Sequence, residues 1–177
     1  MTVFLARRAV LSAVVLAALA AATLAWAVPA QAAPATRPAH TEQTEPTIAV
    51  EWVAAWNSSD TTLLAGLFTP HGVYTDYALG KTMTGRAQVT DWKTGTDQRI
   101  ADVHVTLLNA FQSGNHIAIE ATYSGHINGA PTPFAVPITT ILDLNHNKIT
   151  TDHDNYNLTA VLTQSGLPTN TTTTPNP

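Results

Sequence analysis

The sequence predicts an α+β domain in which helices come first and an antiparallel meander follows, in the order α-α-β-α-β-β-β-β. Three observations carry this. Between Thr47 and Gly95 the apolar residues recur mainly at helical spacing; from Asp102 to Asn157 they alternate with a period of two. Short turn-forming runs, "SGN", "NGAPTP" and "NHN", cut the second half into strand-length pieces. Helices segregated ahead of strands define the α+β class, with an antiparallel sheet packed on three N-terminal helices. The stretch 47–168, about 120 residues, suffices for one compact domain and not for two.

Ahead of that domain the chain reads as a secretory leader over residues 1–32. Arg7 and Arg8 precede an uncharged run from Ala9 to Val28, and Ala30-Gln31-Ala32 has the small-x-small form of a cleavage site. A retained anchor is the competing reading, because the run approaches spanning length. Pro29 and the small residues beside it favour cleavage, which leaves no stable membrane association. Residues 33–46, rich in Pro, Thr and Ala, read as a disordered linker, and residues 169–177 as a polar, disordered tail.

Each element then has its own signal. In "TIAVEWVAAWNSSD", Ile48, Trp52 and Trp56 fall at i, i+4 and i+8 with Val53 beside them, Pro46 stands at the start, and "NSSD" ends the helix. Ser59 or Asp60 caps a second helix, "TTLLAGLF", which "TPHG" stops. A short strand, "VYTDYA", leads to a third helix, "GRAQVTDWKTG", closed by Gly95. The strands are "DVHVTLLNAF", "HIAIEATYSGHI", "FAVPITTILDL" and "KITTDHDNYN", and "LTAVLTQSGL" is a short closing helix.

Charge and composition narrow the function. The formal charge is −4, and loss of Arg7 and Arg8 with the leader takes it to −6, with no basic cluster anywhere. Nucleic-acid binding, which needs a positive footprint, is disfavoured. The chain has no cysteine, so disulfides and thiolate chemistry are excluded. The last strand holds the most distinctive pattern. Residues two apart on a strand share a face, so Asp152, Asp154 and Tyr156 form one row, while His153 and Asn155 form the other. A row of acids is ordinarily a solvated face; it becomes chemistry if it lines a concave, dry pocket. "DHD" does not make a metal site, because adjacent strand residues point oppositely, and no other spacing matches zinc or calcium ligands. Neither a metal nor a cofactor is expected.

The order and length of these elements resemble the nuclear transport factor 2-like, or cystatin-like cone, superfamily, and within it the SnoaL-like branch of polyketide cyclases. "WNSSD" followed by "LLAGLF" is similar to that family's opening helix pair. "GVYTDYALGKTMTGRAQV" is similar to its first strand and the Gly-Arg start of its third helix. "DVHVTLLNAFQSGNHIAIEATYSGHING" is similar to its paired strands, and "NKITTDHDNYNLTAVLTQSGL" to its last strand and closing helix. The resemblance spans Ile48 to Leu167. It implies a strongly curved sheet wrapped on the helices, with the interior of the cone as the ligand pocket.

Laid residue by residue on this chain, the resemblance turns Tyr74 and Asp76 inward. It does the same for Ala118, Glu120, Thr122 and Ser124 on the middle strand, for Asp152, Asp154 and Tyr156 on the last, and for Trp52 and Trp56 on the first helix. The base of the ketosteroid-isomerase-like members falls on Asp76, but their oxyanion tyrosine falls on Trp52 and their oxyanion aspartic acid near Thr139. The last-strand aspartate of the family's epoxide hydrolases falls on Asp154, while its Arg and Asp partners fall near Ala121 and Tyr123. The Asp–His pair of SnoaL-type cyclases would use Asp154 or Asp152 with His104 or His126.

The resemblance therefore implies acid–base candidates Asp76, Asp154, Asp152 and His104. Trp52, Trp56, Tyr74, Glu120, Thr122, His126 and Tyr156 would line the ligand site. Crowded carboxylates in a water-poor cone raise one another's pKa, which yields a general acid beside a general base. Tryptophans and a tyrosine supply flat walls. The expected function is binding of a small apolar or cyclic molecule, with acid–base chemistry of the cyclase, isomerase or dehydratase type. The rival is a non-catalytic binding or dimerisation module, since relatives of this kind pair as homodimers through the open face of the sheet.

Overall fold

The computed structural model describes residues 45–169; the predicted leader, all of the linker except its last two residues, and the tail beyond residue 169 lie outside the described residues. Helices α1 (Thr47–Trp56) and α2 (Thr62–Leu67) lead into strand β1 (Phe68–Asp76). Strand β2 (Lys81–Thr84), helix α3 (Gly85–Arg99), strands β3 (Ile100–Ser113), β4 (His116–Ile127), β5 (Phe134–Asn145) and β6 (Lys148–Tyr156), and helix α4 (Leu158–Gln164) follow. This is the α+β order that the sequence predicts, with three differences.

First, the six-stranded sheet runs β2-β1-β6-β5-β4-β3 and is mixed, because β1 lies parallel to β6. The other neighbours are antiparallel. The parallel pair joins strands at opposite ends of the sequence, so alternation within each strand gives no sign of it. Second, β2 is a strand of four residues, "KTMT", that buries Met83 alone. Third, α3 passes through Gly95 to Arg99. Glycine weakens a helix interior by about 1 kcal/mol without forbidding it, and the Arg99 side chain fills the space against it.

The junctions are held by specific side chains. Asn57 ends α1 and acts as a peptide surrogate for β3. Its Nδ2 donates to the Val105 carbonyl (2.9 Å) and its Oδ1 accepts from the Val105 N–H (2.7 Å). Arg86, at the start of α3, donates from Nε and Nη2 to the Phe68 carbonyl (2.8 and 2.6 Å). That bond explains the "GR" pair as structural: it fixes α3 to the entry of β1. Asp60 accepts from the N–H and the hydroxyl of Thr62 (2.9 and 2.6 Å) in the turn before α2, whose N-cap is Thr61 and not the expected Ser59 or Asp60. At Gly72, where the β1–β6 pairing is irregular, a Cβ would lie 2.8 Å from the Ile149 carbonyl oxygen, so only glycine permits that approach.

The core fills the space between α1–α3 and the concave face of the sheet. Trp52, Leu64, Phe68, Val89, Ile119, Leu142 and Ile149 are fully buried there. Along β4 the buried residues are Ile117, Ile119, Ala121, Tyr123 and Gly125; Glu120 is exposed, and Thr122 and Ser124 share its face. The inward placement expected for Ala118, Glu120, Thr122 and Ser124 is therefore wrong by one residue. A slip of one exchanges the two faces of a strand, and the face with the larger apolar area is the one that packs. On the convex face the pairs Phe111–Ala118, Ala118–Ile141 and Ile141–His153 form one row across four strands.

Candidate functional site

The parallel β1–β6 pair builds the site. Its register sets Tyr74 beside Asp152 and Asp76 beside Asp154. The alternation of β6 turns both of its acids toward the helices. Asp76, Asp152 and Asp154 are 3%, 0% and 2% exposed, so the acid row belongs to the interior. Among the described residues no basic side chain lies within ion-pair distance of any of the three.

Neutral donors take the place of cations. Asp154 accepts from the Tyr74 hydroxyl and from Thr140, its neighbour across the β5–β6 ladder. Asp152 accepts from the indole N–H of Trp52 at 2.8 Å. Its other oxygen, Oδ1, is buried and meets no N–H or hydroxyl donor. An orphaned buried carboxylate oxygen is costly when charged, and protonation of Asp152 lowers that cost. Burial and the Asp154 charge push the Asp152 carboxyl well above the usual range. Burial raises Asp154 to about 6, held from going higher by its bonds from Thr140 and Tyr74. Of the two, Asp152 holds its proton the more firmly, because it is fully buried beside the Asp154 charge. Asp76 stands at the other end of the row. It accepts from the Tyr156 hydroxyl (2.9 Å) and the Leu79 N–H (2.7 Å), and burial raises its pKa against those bonds.

Asp76 and Asp154 open onto a cavity of about 80 Å³. Trp56, Trp92, Tyr123 and Tyr156 supply its aromatic walls, with Ile100, Val105 and Ile138 between them. Tyr123 and Tyr156 lie edge to face with ring centroids 5.6 Å apart; Tyr74 lies 6.2 Å from Trp56 and 6.1 Å from Trp92. Burial, with the Asp76 charge second, pushes the phenols of Tyr123 and Tyr156 upward, so both remain neutral at any physiological pH. Exposed Leu79 and Arg99 mark the mouth.

Of the residues expected at the site, Asp76, Asp154, Trp52, Trp56, Tyr74 and Tyr156 line this cavity. Asp152 does not line it. Glu120 and Thr122 are on the opposite face of the sheet. His104 is exposed, and its carbonyl accepts from Ser124. His126 is bonded through Nε2 to the Ala130 carbonyl at 2.8 Å, in the loop after β4. Among the described residues no histidine lines the cavity, and none of them forms an Asp–His pair there. Trp92, Tyr123, Thr140 and Arg99 are site residues that sequence reasoning missed. Tyr123 and Thr140 carry a readable signal: each continues the apolar alternation of its strand, after Ile117, Ile119 and Ala121 in β4 and between Ile138 and Leu142 in β5.

A cone of helices and curved sheet around a buried acid row defines a class of small-ligand pockets, and comparison with known proteins agrees. A hypothetical protein with a ketosteroid isomerase-like fold from Catenulispora acidiphila, crystallised in complex with trimethylamine, is 51% identical. It superposes with a TM-score of 0.70 over 71% of this chain and 96% of its own. A protein described as a SnoaL-like polyketide cyclase, from Shewanella putrefaciens, shares the fold at 16% identity (TM-score 0.60; 67% of this chain, 93% of that one). So does a phenazine biosynthesis-related protein from Pseudomonas aeruginosa at 18% identity (TM-score 0.59; 68% and 86%). None of the curated proteins matches the chain. The SnoaL-like domain family matches residues 49–151, and the chain belongs to that family, within the nuclear transport factor 2-like superfamily.

Proposed function

We propose that this chain is an exported SnoaL-like domain whose cavity binds a small organic cation, an alkylated amine. The observation that carries the reading is charge without a counterion. Two carboxylates face an aromatic-walled cavity, and among the described residues no cation lies within ion-pair distance of either; the buried Lys93 over the Trp56 ring is paired with Asp97. Buried charge is tolerated when paired, and a ring face attracts a cation by about 2 kcal/mol or more once water is excluded. An alkylammonium group satisfies both demands, with methyl groups against the rings and positive charge beside Asp76 and Asp154. Trimethylamine in the Catenulispora protein supports the same ligand class. Size supports it as well: about 80 Å³ is far below the ~300–1,000 Å³ of clefts that enclose drug-sized ligands. The walls suit the apolar or cyclic ligand that the sequence suggests, but the acids favour a cation.

Titration with tetramethylammonium, which has no proton to lose, isolates the carboxylates. Asp154 is ionised above a pKa of about 6 and neutral below it. Affinity measured by calorimetry should therefore be highest at pH 8 and roughly tenfold weaker at pH 5, one pH unit below that pKa. An affinity independent of pH would contradict the reading.

Acid–base catalysis is a second reading, favoured by the position of Asp154 near neutrality beside the Asp152 reservoir of protons. In that reading Asp154 takes a proton from the bound ligand and Asp152 stabilises the exchange. Export rests on the leader at residues 1–32. N-terminal sequencing of the mature protein should begin near Ala33, whereas residues 9–28 retained in a membrane fraction would exclude cleavage.

A further inference from the structure

A cation stands at the mouth of the cavity, opposite in sign to the acids inside. Arg99 is the last residue of α3, is exposed, and borders both the cavity and a shallow groove that continues from it along Lys81, Gln88, Asp91 and Trp92. Its guanidinium lies back over Gly95, where a Cβ would come within 3.1 Å of Nη2. That glycine thus gives the fork its resting place at the rim. Among the described residues Lys93, Arg86 and Lys148 are engaged, while Lys81, farther along the groove and not at the cavity, is like Arg99 without a bond. Lys93 bonds Asp97 at 2.6 Å and the Ser58 carbonyl at 3.1 Å, Arg86 bonds the Phe68 carbonyl at 2.8 Å, and Lys148 bonds the Gly66 carbonyl at 2.7 Å. Arg99 makes no such bond and lies within ion-pair distance of no carboxylate among the described residues. A second donor near the mouth is also without a partner: the buried indole N–H of Trp92, whose ring borders both cavity and groove, meets no acceptor.

From this arrangement we infer that the natural ligand is a zwitterion of the betaine type, with its alkylated ammonium inside the aromatic cavity and a carboxylate at the mouth on Arg99. This rests on the cation-binding reading above and adds the second group of the ligand. The planar guanidinium fork matches a carboxylate through two parallel hydrogen bonds, which a lysine in its place would not give. The spacing between the two ligand charges is set by the depth of the cavity.

The test is calorimetry on the mature chain at pH 8. The probes are tetramethylammonium and three trimethylammonium carboxylates with one, two or three methylenes between the charges: glycine betaine, β-alanine betaine and γ-butyrobetaine. In the wild type one of the three should bind about tenfold more tightly than tetramethylammonium, the scale of a charge-assisted contact. Arg99→Gln should abolish that gain. The same variant should strengthen tetramethylammonium slightly, because a positive charge at the rim repels it. A merely structural Arg99 would weaken every probe together. If tetramethylammonium binds and no carboxylate binds more tightly, or if Arg99→Gln weakens all probes alike, the zwitterion inference is overturned and the cation reading stands. If no probe binds, both fall.

Discussion

Asp154→Asn should weaken tetramethylammonium binding roughly 30-fold at pH 8 and, at the same pH, make the unliganded protein more stable. The binding loss follows from Coulomb's law: unit charges about 4 Å apart at an effective dielectric near 20 attract by about 4 kcal/mol. With Asp76 and the rings retained, about half of that is lost. The stability gain has the opposite sign because the carboxylate is buried without a counterion. Its pKa rises from 3.8 to about 6 on folding, so the ionised form costs roughly 3 kcal/mol above pH 6, at about 1.4 kcal/mol per unit. Asparagine removes that cost but accepts less well from Tyr74 and Thr140, a loss of about 1 kcal/mol. A net gain of about 2 kcal/mol remains, equivalent to several degrees in Tm.

The pH dependence fixes the sign. Between pH 4 and 6 the folded state binds a proton that the unfolded state has released, so acidification stabilises the wild type. The advantage of Asp154→Asn should therefore be full at pH 8 and gone near pH 4. Melting curves of the two proteins that stay parallel across this range would mean that Asp154 is an ordinary solvated acid.

The acid row shows how far sequence reading reaches in this chain. Two-residue spacing alone groups Asp152, Asp154 and Tyr156; it does not say whether that face is wet or dry. The family resemblance supplied the face for β1 and β6 correctly and for β4 incorrectly. The difference is physical. On β6 the polar row itself is buried, against the usual rule, so only a borrowed register finds it. On β4 the ordinary rule holds, and the apolar residues Ile117, Ile119 and Ala121 mark the inner face without any relative. Trp52 was legible as an inward helix residue, but its bond to Asp152, 100 positions away, depends on how α1 lies across the sheet. Arg99 was hidden by Gly95, which reads as a stop in isolation and is a helix interior in the fold; Trp92 lies inside the helix read from the sequence, but no local pattern says that it faces the cavity. The parallel β1–β6 contact, which sets Asp76 beside Asp154, is long-range pairing that no local pattern encodes.

The central claim is that the cavity selects positive charge, not merely a small apolar shape. Choline and 3,3-dimethylbutan-1-ol separate these, because the second replaces the quaternary nitrogen with carbon and is otherwise the same molecule. At pH 8 the contribution of the rings, about 2 kcal/mol for a desolvated cation, adds to that of Asp76 and Asp154. Choline should accordingly bind at least ~30-fold more tightly than the alcohol when both are measured by calorimetry on the wild type. Equal affinities, or tighter binding of the alcohol, would contradict the account and leave an apolar pocket with buried acids that its ligand does not read.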